Sequence, residues 1–88
     1  MRTPFVAGNW KMNTTVQEAV NLVTDLRRTL VEIGRIEKVV CPPFVSLQAV
    51  QSVLQGSDIG LGAQNMYFEP KGAYTGEVSP LMLAGICR

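Results

Sequence analysis

Short apolar runs alternate with longer amphipathic segments along the chain, and this alternation constrains the fold more than any other feature. The order is strand, helix, strand, helix, strand, loop and helix. Helices that follow strands at short intervals are typical of βαβ units, whose right-handed crossovers place successive strands side by side and parallel. The sequence therefore predicts an α/β fold with a three-stranded parallel sheet, and no linker divides residues 1–88.

The first predicted helix carries the clearest local signals. Its apolar residues recur at spacings of three and four and so form one face. They are Val16, Ala19, Val20, Val23, Leu26, Leu30 and Val31. Thr15 with Glu18 forms a capping-box pattern at the start, and Gly34 is suited to follow the end. We expect a helix from about Val16 to Ile33.

The second strand is predicted at Glu37 to Cys41, where Pro42 and Pro43 end it because proline cannot donate to a ladder. Cys41 could be a nucleophile or a small core residue. Because the chain has no histidine to activate a thiol, the core role is favoured. Ser46 is placed to cap a second helix over residues 47–54.

The third strand is predicted at Asp58 to Gln64 and contains two glycines. They indicate close packing rather than a dinucleotide-binding loop, because no third glycine opens a helix after them. Ser79 and Pro80 are typical of a helix start, with serine as cap and proline in the first turn.

The first strand begins at Phe5 and runs into polar residues, Asn9 and Lys11, just before the first helix. Ligand sites in α/β folds lie at the carboxyl ends of parallel strands. If the chain stays extended to Lys11, both side chains point to one face. An amide beside an ammonium group suits a phosphate, a carboxylate or a developing enolate. The alternative is a solvated loop lysine and an asparagine in a turn.

Residues 65–76 form a long loop outside any periodic pattern, and its aromatic side chains are Tyr67, Phe68 and Tyr74. Loops of this length in compact domains are usually functional. Exposed aromatic residues there would form a partner surface. A lid packed on its own domain explains the same residues equally well.

Composition excludes several classes of function. A net charge of +1 gives no electrostatic case for nucleic acid or an acidic membrane surface. The apolar runs are too short for a membrane span, and the N-terminus lacks the features of a secretory signal. Cys41 and Cys87 are far apart in sequence, and without histidine a zinc site is not expected. These features favour a cytoplasmic protein.

Four blocks of sequence together resemble the triosephosphate isomerase family. They are Asn-Trp-Lys-Met-Asn at 9–13, Cys-Pro-Pro at 41–43, Gly-Ala-Gln-Asn at 62–65 and Gly-Ala-Tyr-Thr-Gly-Glu-Val-Ser-Pro at 72–80. The blocks occur in the family's order and span nearly the whole chain. Residues 83–88 match less clearly, since Gly85 and Cys87 stand where the family often has an acidic residue and a glycine.

The resemblance implies a (β/α)8 barrel, of which residues 1–88 are the N-terminal part, a single partial domain with the first three βα units. It implies interconversion of dihydroxyacetone phosphate and glyceraldehyde 3-phosphate, without a cofactor or a metal. It assigns Lys11 as the catalytic electrostatic partner of the substrate phosphate and enediolate, and Asn9 as a substrate-binding residue.

The resemblance also implies a homodimer through the loop Gly72–Glu77. Its interface residues would be Tyr74, Thr75, Gly76 and Glu77, with Thr75 reaching toward Asn9 and Lys11 of the partner subunit. This implication decides the open question about the loop in favour of an interface.

In the family, a glutamate base and a neutral histidine carry the proton transfer, and both lie further along the chain. Here Glu69 and Glu77 match neither position. Two hypotheses follow: an isomerase piece that is inactive alone, or a non-catalytic chain that self-associates because an open parallel sheet leaves its edges unpaired.

Overall fold

The computed structural model describes residues 3–87, in which a parallel three-stranded sheet in the order β1-β2-β3 is flanked by helices. The predicted domain of residues 1–88 thus includes three residues, 1, 2 and 88, outside the described part. The elements are β1 (Phe5–Asn9), α1 (Val16–Leu30), β2 (Glu37–Cys41), a 3₁₀ turn (Phe44–Ser46), α2 (Leu47–Leu54), β3 (Ile59–Leu61) and α3 (Pro80–Ala84).

Both edge strands pair with β2 in parallel register. Phe5 lies opposite Glu37 and Asn9 lies opposite Cys41, while β3 pairs with residues 38–40 of β2. The carboxyl ends of the strands therefore lie at one edge of the sheet. The predicted class, α/β with three parallel strands alternating with helices, is confirmed.

The hydrophobic core lies between α1, α2 and one face of β2 and β3. It is formed by Ala19, Val23, Val40, Leu47, Val50, Leu54, Ile59, Leu61 and Leu83. The helix periodicity identified Ala19 and Val23, which are fully buried on α1. Burial of such side chains is worth about 1.5–3 kcal/mol each, so this cluster dominates the favourable free energy of folding.

Helix α1 starts where the sequence predicts and ends earlier. The Thr15 hydroxyl accepts from the Glu18 backbone N–H at 3.2 Å, and the Glu18 carboxylate accepts from the Thr15 N–H at 2.8 Å. These hydrogen bonds from Thr15 hold the pKa of Glu18 below its usual value. The helix ends at Leu30 rather than near Ile33, because the Ile33 N–H closes a tight turn on the Leu30 carbonyl.

The early end of α1 is secured by a buried lysine that the sequence pattern did not identify. Lys38 is 6% exposed, and its Nζ donates to the carbonyl oxygens of Leu30 and Ile33. The same ammonium lies 2.8 Å from the carboxylate of Asp58, the residue before β3. Lys38 thus adds a second donor to the Leu30 carbonyl, which also accepts from the Ile33 N–H, and supplies a donor to the Ile33 carbonyl just past the helix.

The two serine caps have opposite outcomes. Ser79 accepts from the Met82 N–H at 3.3 Å with Pro80 in the first turn, as predicted. Ser46 makes no capping hydrogen bond, because the backbone there is already helical and belongs to the 3₁₀ turn. Its hydroxyl is buried and has no hydrogen-bond partner among the described residues.

Strand β3 is shorter than the predicted Asp58–Gln64, because its ladder with β2 covers only three residue pairs. The glycines do occupy crowded positions. A Cβ on Gly60 would lie 3.3 Å from Val39, and one on Gly62 would lie 3.0 Å from the Cys41 sulfur. Both positions therefore favour a residue without a side chain.

Within residues 3–87, none of the helices combines the length and apolar character needed to cross a bilayer.

Candidate functional site at the carboxyl edge of the sheet

The carboxyl ends of the three strands are joined through one side chain, that of Gln64. Its Nε2 donates to the Lys11 carbonyl oxygen at 2.9 Å and to the Cys41 carbonyl oxygen at 2.8 Å. The Trp10 N–H donates to the same Cys41 oxygen at 3.2 Å. The segments that follow β1 and β3 are therefore both attached to the end of the central strand.

Lys11 lies in this junction with a left-handed backbone, at φ 55°. Its N–H donates to the Asn9 side-chain oxygen at 2.9 Å. The condition that the chain stays extended to Lys11 is not met, because β1 ends at Asn9 and the Asn9 side chain turns back to the backbone. Asn9 and Lys11 are thus joined by a hydrogen bond rather than by alternation along a strand.

A left-handed conformation in a residue other than glycine costs about 1–3 kcal/mol and persists only where the surroundings hold it. At Lys11 the N–H is held by Asn9 and the carbonyl by Gln64. Asn13 supports the same loop by donating to the Trp10 carbonyl at 2.8 Å. Strain held in this way is concentrated at functional sites in proteins.

The Lys11 side chain is exposed, so its charge is available to a ligand at the edge of the sheet. An ammonium group carries three donors and suits phosphate or enediolate oxygens. The Asn9 side-chain oxygen is occupied by the Lys11 N–H, so its amide N–H groups are the part that can reach a ligand oxygen.

The long loop packs on itself at one aromatic residue and exposes others. The Tyr67 ring lies 4.5 Å from that of Phe68 and 4.6 Å from that of Tyr74. The Tyr67 N–H donates to the Val78 carbonyl at 2.7 Å, which closes the base of the loop. Phe68 and Tyr74 remain exposed, and so do Thr75, Gly76 and Glu77 beyond them.

The loop tip contains two glycines with backbones that other residues rarely adopt. Gly76 has φ 86° and Gly72 has φ 145°, and a Cβ on Gly72 would lie 2.7 Å from the Tyr74 ring. The Glu77 N–H donates to the Tyr74 carbonyl at 3.0 Å across the turn. The tip is therefore a built turn in which the Tyr74 ring packs on Tyr67 and remains partly exposed, while Thr75 is exposed.

Cys41 is half-buried at the end of β2, beside the backbone of Gly62. Burial, and to a smaller degree the nearby Cys41, raises the pKa of the Cys87 thiol. Cys87 packs against the core cluster, whereas the core role predicted for Cys41 stays a prediction. Residues 3–87 contain no group of three or more His, Cys, Asp or Glu side chains that could hold a metal ion.

The sequence pattern predicts Asn9 and Lys11 as site residues and gives no role to Gln64. The available signal was a polar residue just past the third strand, within a block that matched the family. Its role depends on contacts 53 residues apart along the chain, which local patterns do not reveal.

A family model for triosephosphate isomerase matches residues 4–87. The chain belongs to the triosephosphate isomerase family. A triosephosphate isomerase of Dehalococcoides mccartyi is 59% identical over 87 residues, which are 99% of this chain and 35% of that protein. One from Clostridium perfringens is 57% identical over 83 residues, covering 94% of this chain and 33% of the relative.

The crystal structure of triosephosphate isomerase from Bartonella henselae superposes with a TM-score of 0.87 at 35% identity, over 98% of this chain and 35% of that one. The fold is therefore that of part of a TIM barrel. The chain spans about a third of the length of the triosephosphate isomerases that it matches.

Proposed function

We propose that this chain is the substrate-binding part of a triosephosphate isomerase, which interconverts dihydroxyacetone phosphate and D-glyceraldehyde 3-phosphate. The reaction proceeds by proton transfer through an enediolate, without a cofactor, in cytoplasmic glycolysis and gluconeogenesis. The observation that supports this most is Lys11, an exposed cation on a strained backbone at the carboxyl edge of the sheet.

The two site residues have separate roles in this proposal. The Lys11 ammonium neutralises the substrate phosphate and the negative charge that develops on the enediolate. Asn9 donates to a substrate oxygen and orients it. Proton abstraction needs a positioned acceptor. Glu69 and Glu77 match neither catalytic position of the family, so we propose that residues 1–88 form a partial domain that is inactive alone.

A coupled isomerase assay tests the proposal. The 88-residue chain should not exceed the buffer rate. The same chain, joined to the part of the Dehalococcoides mccartyi relative that the match leaves uncovered, should turn over. Lys11→Met in the joined protein should lower kcat/KM about a hundredfold or more. Arg28→Met, which removes an exposed charge on α1, should leave it unchanged.

A joined protein that folds and still turns over with Lys11→Met would contradict the assignment of Lys11. Turnover by the 88 residues alone would contradict the proposed inactivity of the partial domain. Each result concerns a different part of the proposal, so the two can be judged separately.

We further infer that the loop Gly72–Glu77 forms a homodimer interface, with Thr75 reaching Asn9 and Lys11 of the partner subunit. The exposed part of the Tyr74 side chain and the glycine-dependent turn support this. In the joined protein, Tyr74→Ser should raise the dimer dissociation constant at least tenfold by analytical ultracentrifugation. Phe68→Ser, which also removes an exposed aromatic ring, is the matched control.

A second candidate function is a non-catalytic, self-associating chain, favoured by the exposed apolar side chains of β1, Phe5 and Val6. An unpaired strand edge is a template for further pairing. Sedimentation of the 88-residue chain should then show dimers that Val6→Lys reduces. A folded monomer over the whole concentration range would exclude this candidate.

A further inference from the structure

We propose that Gln64 is a positioning residue, which holds Lys11 in its left-handed conformation and thereby fixes where the Lys11 side chain begins. The consequence for substrate binding rests on the proposed function. The conformational part does not, since it concerns only contacts within this chain.

The first step of the argument is the strain at Lys11. Its φ of 55° is one that residues with a Cβ adopt rarely, and local side chains must hold it. Asn9 holds only the N–H. Without a donor on the carbonyl, the peptide that follows Lys11 could rotate and release the strain.

The second step is that Gln64 supplies this donor from a fixed point. Both hydrogens of its Nε2 are used, one on Lys11 and one on Cys41. Cys41 ends the central strand, where it pairs with Asn9 of β1 and its carbonyl also accepts from the Trp10 N–H. By donating to both carbonyls, the Gln64 amide holds the loop after β1 against the end of the central strand.

The third step is that Gln64 is not part of the core. It is exposed, so its removal opens no cavity and leaves its two partner carbonyls to water. A positioning role and a purely structural role therefore predict different results. Loss of positioning changes Lys11 alone, whereas a structural role would weaken the whole sheet.

The test compares Gln64→Met and Gln64→Glu with Gln48→Met and Gln48→Glu, matched changes of an exposed glutamine on α2. The Lys11 backbone is followed by NMR through its H–N–Cα–H coupling and Cα shift. Binding of inorganic phosphate is followed by titration of the same signals. Circular dichroism and the amide spectrum report whether the sheet is intact.

We expect Gln64→Met to move the Lys11 signals away from left-handed values and to weaken phosphate binding by up to about tenfold. The Gln48 variants should change neither. Gln64→Glu should behave like Gln64→Met at neutral pH, because a carboxylate cannot donate to carbonyls. It should recover part of the Lys11 signal below about pH 4, where the protonated carboxyl donates one hydrogen bond.

Lys11 signals that stay left-handed in Gln64→Met would overturn the proposal, and so would a wild-type chain without them. A Gln64→Met variant that loses the sheet while Gln48→Met keeps it would show a structural role instead, and would also overturn it. If Lys11 depends on Gln64 but the wild-type chain does not bind phosphate, the positioning role stands and the proposed function fails.

Discussion

The two edge strands of the sheet pair with the same central strand, yet their surroundings differ sharply. Ile59 and Leu61 of β3 are 3% and 5% exposed, whereas Phe5 and Val6 of β1 are 64% and 59% exposed. Both ladders are parallel. The comparison shows that pairing alone does not bury a strand, because burial requires a helix on its face.

The helices account for the difference. Helix α2 packs on β3, and α1 packs on α2 and the 3₁₀ turn rather than closely on β1. A cavity of about 300 Å³ therefore remains between β1 and α1, lined by residues that include Val6, Trp10, Leu26 and Leu30. Strand β1 therefore depends on its hydrogen bonds to β2 for its position.

The largest expected effect on stability is the difference between a Val→Ala substitution on α2, which packs on β3, and one on the exposed β1. Val50→Ala removes a fully buried side chain from α2 and should lower the free energy of unfolding by about 2–3 kcal/mol. Val6→Ala on the exposed β1 should cost less than about 1 kcal/mol. Urea unfolding of both variants measures this, and equal losses would break the comparison.

A somewhat smaller loss is expected for Lys38→Met. The change removes the donor from the Ile33 carbonyl oxygen and the second donor from the Leu30 carbonyl oxygen, and should cost about 2 kcal/mol. Urea unfolding, followed by the far-UV signal, would measure it. Arg35→Met provides a control that removes an exposed charge near the same turn, and an equal loss there would argue against the buried hydrogen bonds.

The N-terminal cap of α1 should contribute less to the free energy of unfolding than the Lys38 hydrogen bonds do. Thr15→Ala removes half of the capping box and should lower the free energy of unfolding by about 1 kcal/mol. Thr15→Ser keeps the hydroxyl and should restore most of it. Thermal unfolding compares the two variants, and similar midpoints for both would contradict a capping role.

The smallest expected effect is a dependence of the free energy of unfolding on pH. The hydrogen bond from Lys38 holds the pKa of Asp58 below its usual value. As pH falls, Asp58 is therefore protonated at a higher pH in the unfolded chain than in the folded one, which favours unfolding. This contribution is present above the unfolded pKa of about 4 and is lost as pH falls through the folded value. Asp58→Asn should flatten that acid limb in urea unfolding at pH 3–6.

Cys87 should make the free energy of unfolding depend on pH in the alkaline range. Its folded pKa is raised by burial and by Cys41, so its contribution is complete below the unfolded pKa of about 8.5. It is lost as pH rises through the folded value. Cys87→Ala should flatten the alkaline limb between about pH 8 and 10, and an unchanged slope would refute this.

The sequence by itself determined the order of the elements, the start of α1, the start of α3 and the family. These depend on neighbours within a few residues: the Thr15–Glu18 box, the Ser79–Pro80 start and the apolar period of α1. Local hydrogen bonds and side-chain periodicity depend on residues within one or two helical turns, so they can be predicted from the sequence alone.

Only the tertiary structure decided the conformation of Lys11, the junction at Gln64 and the burial of Lys38. Each is set by partners that the sheet brings together from different βα units or from the far end of a helix. Gln64 reaches Lys11 across 53 residues and Cys41 across 23. A local pattern cannot contain such a contact, because the donor and acceptor meet only after the strands have paired.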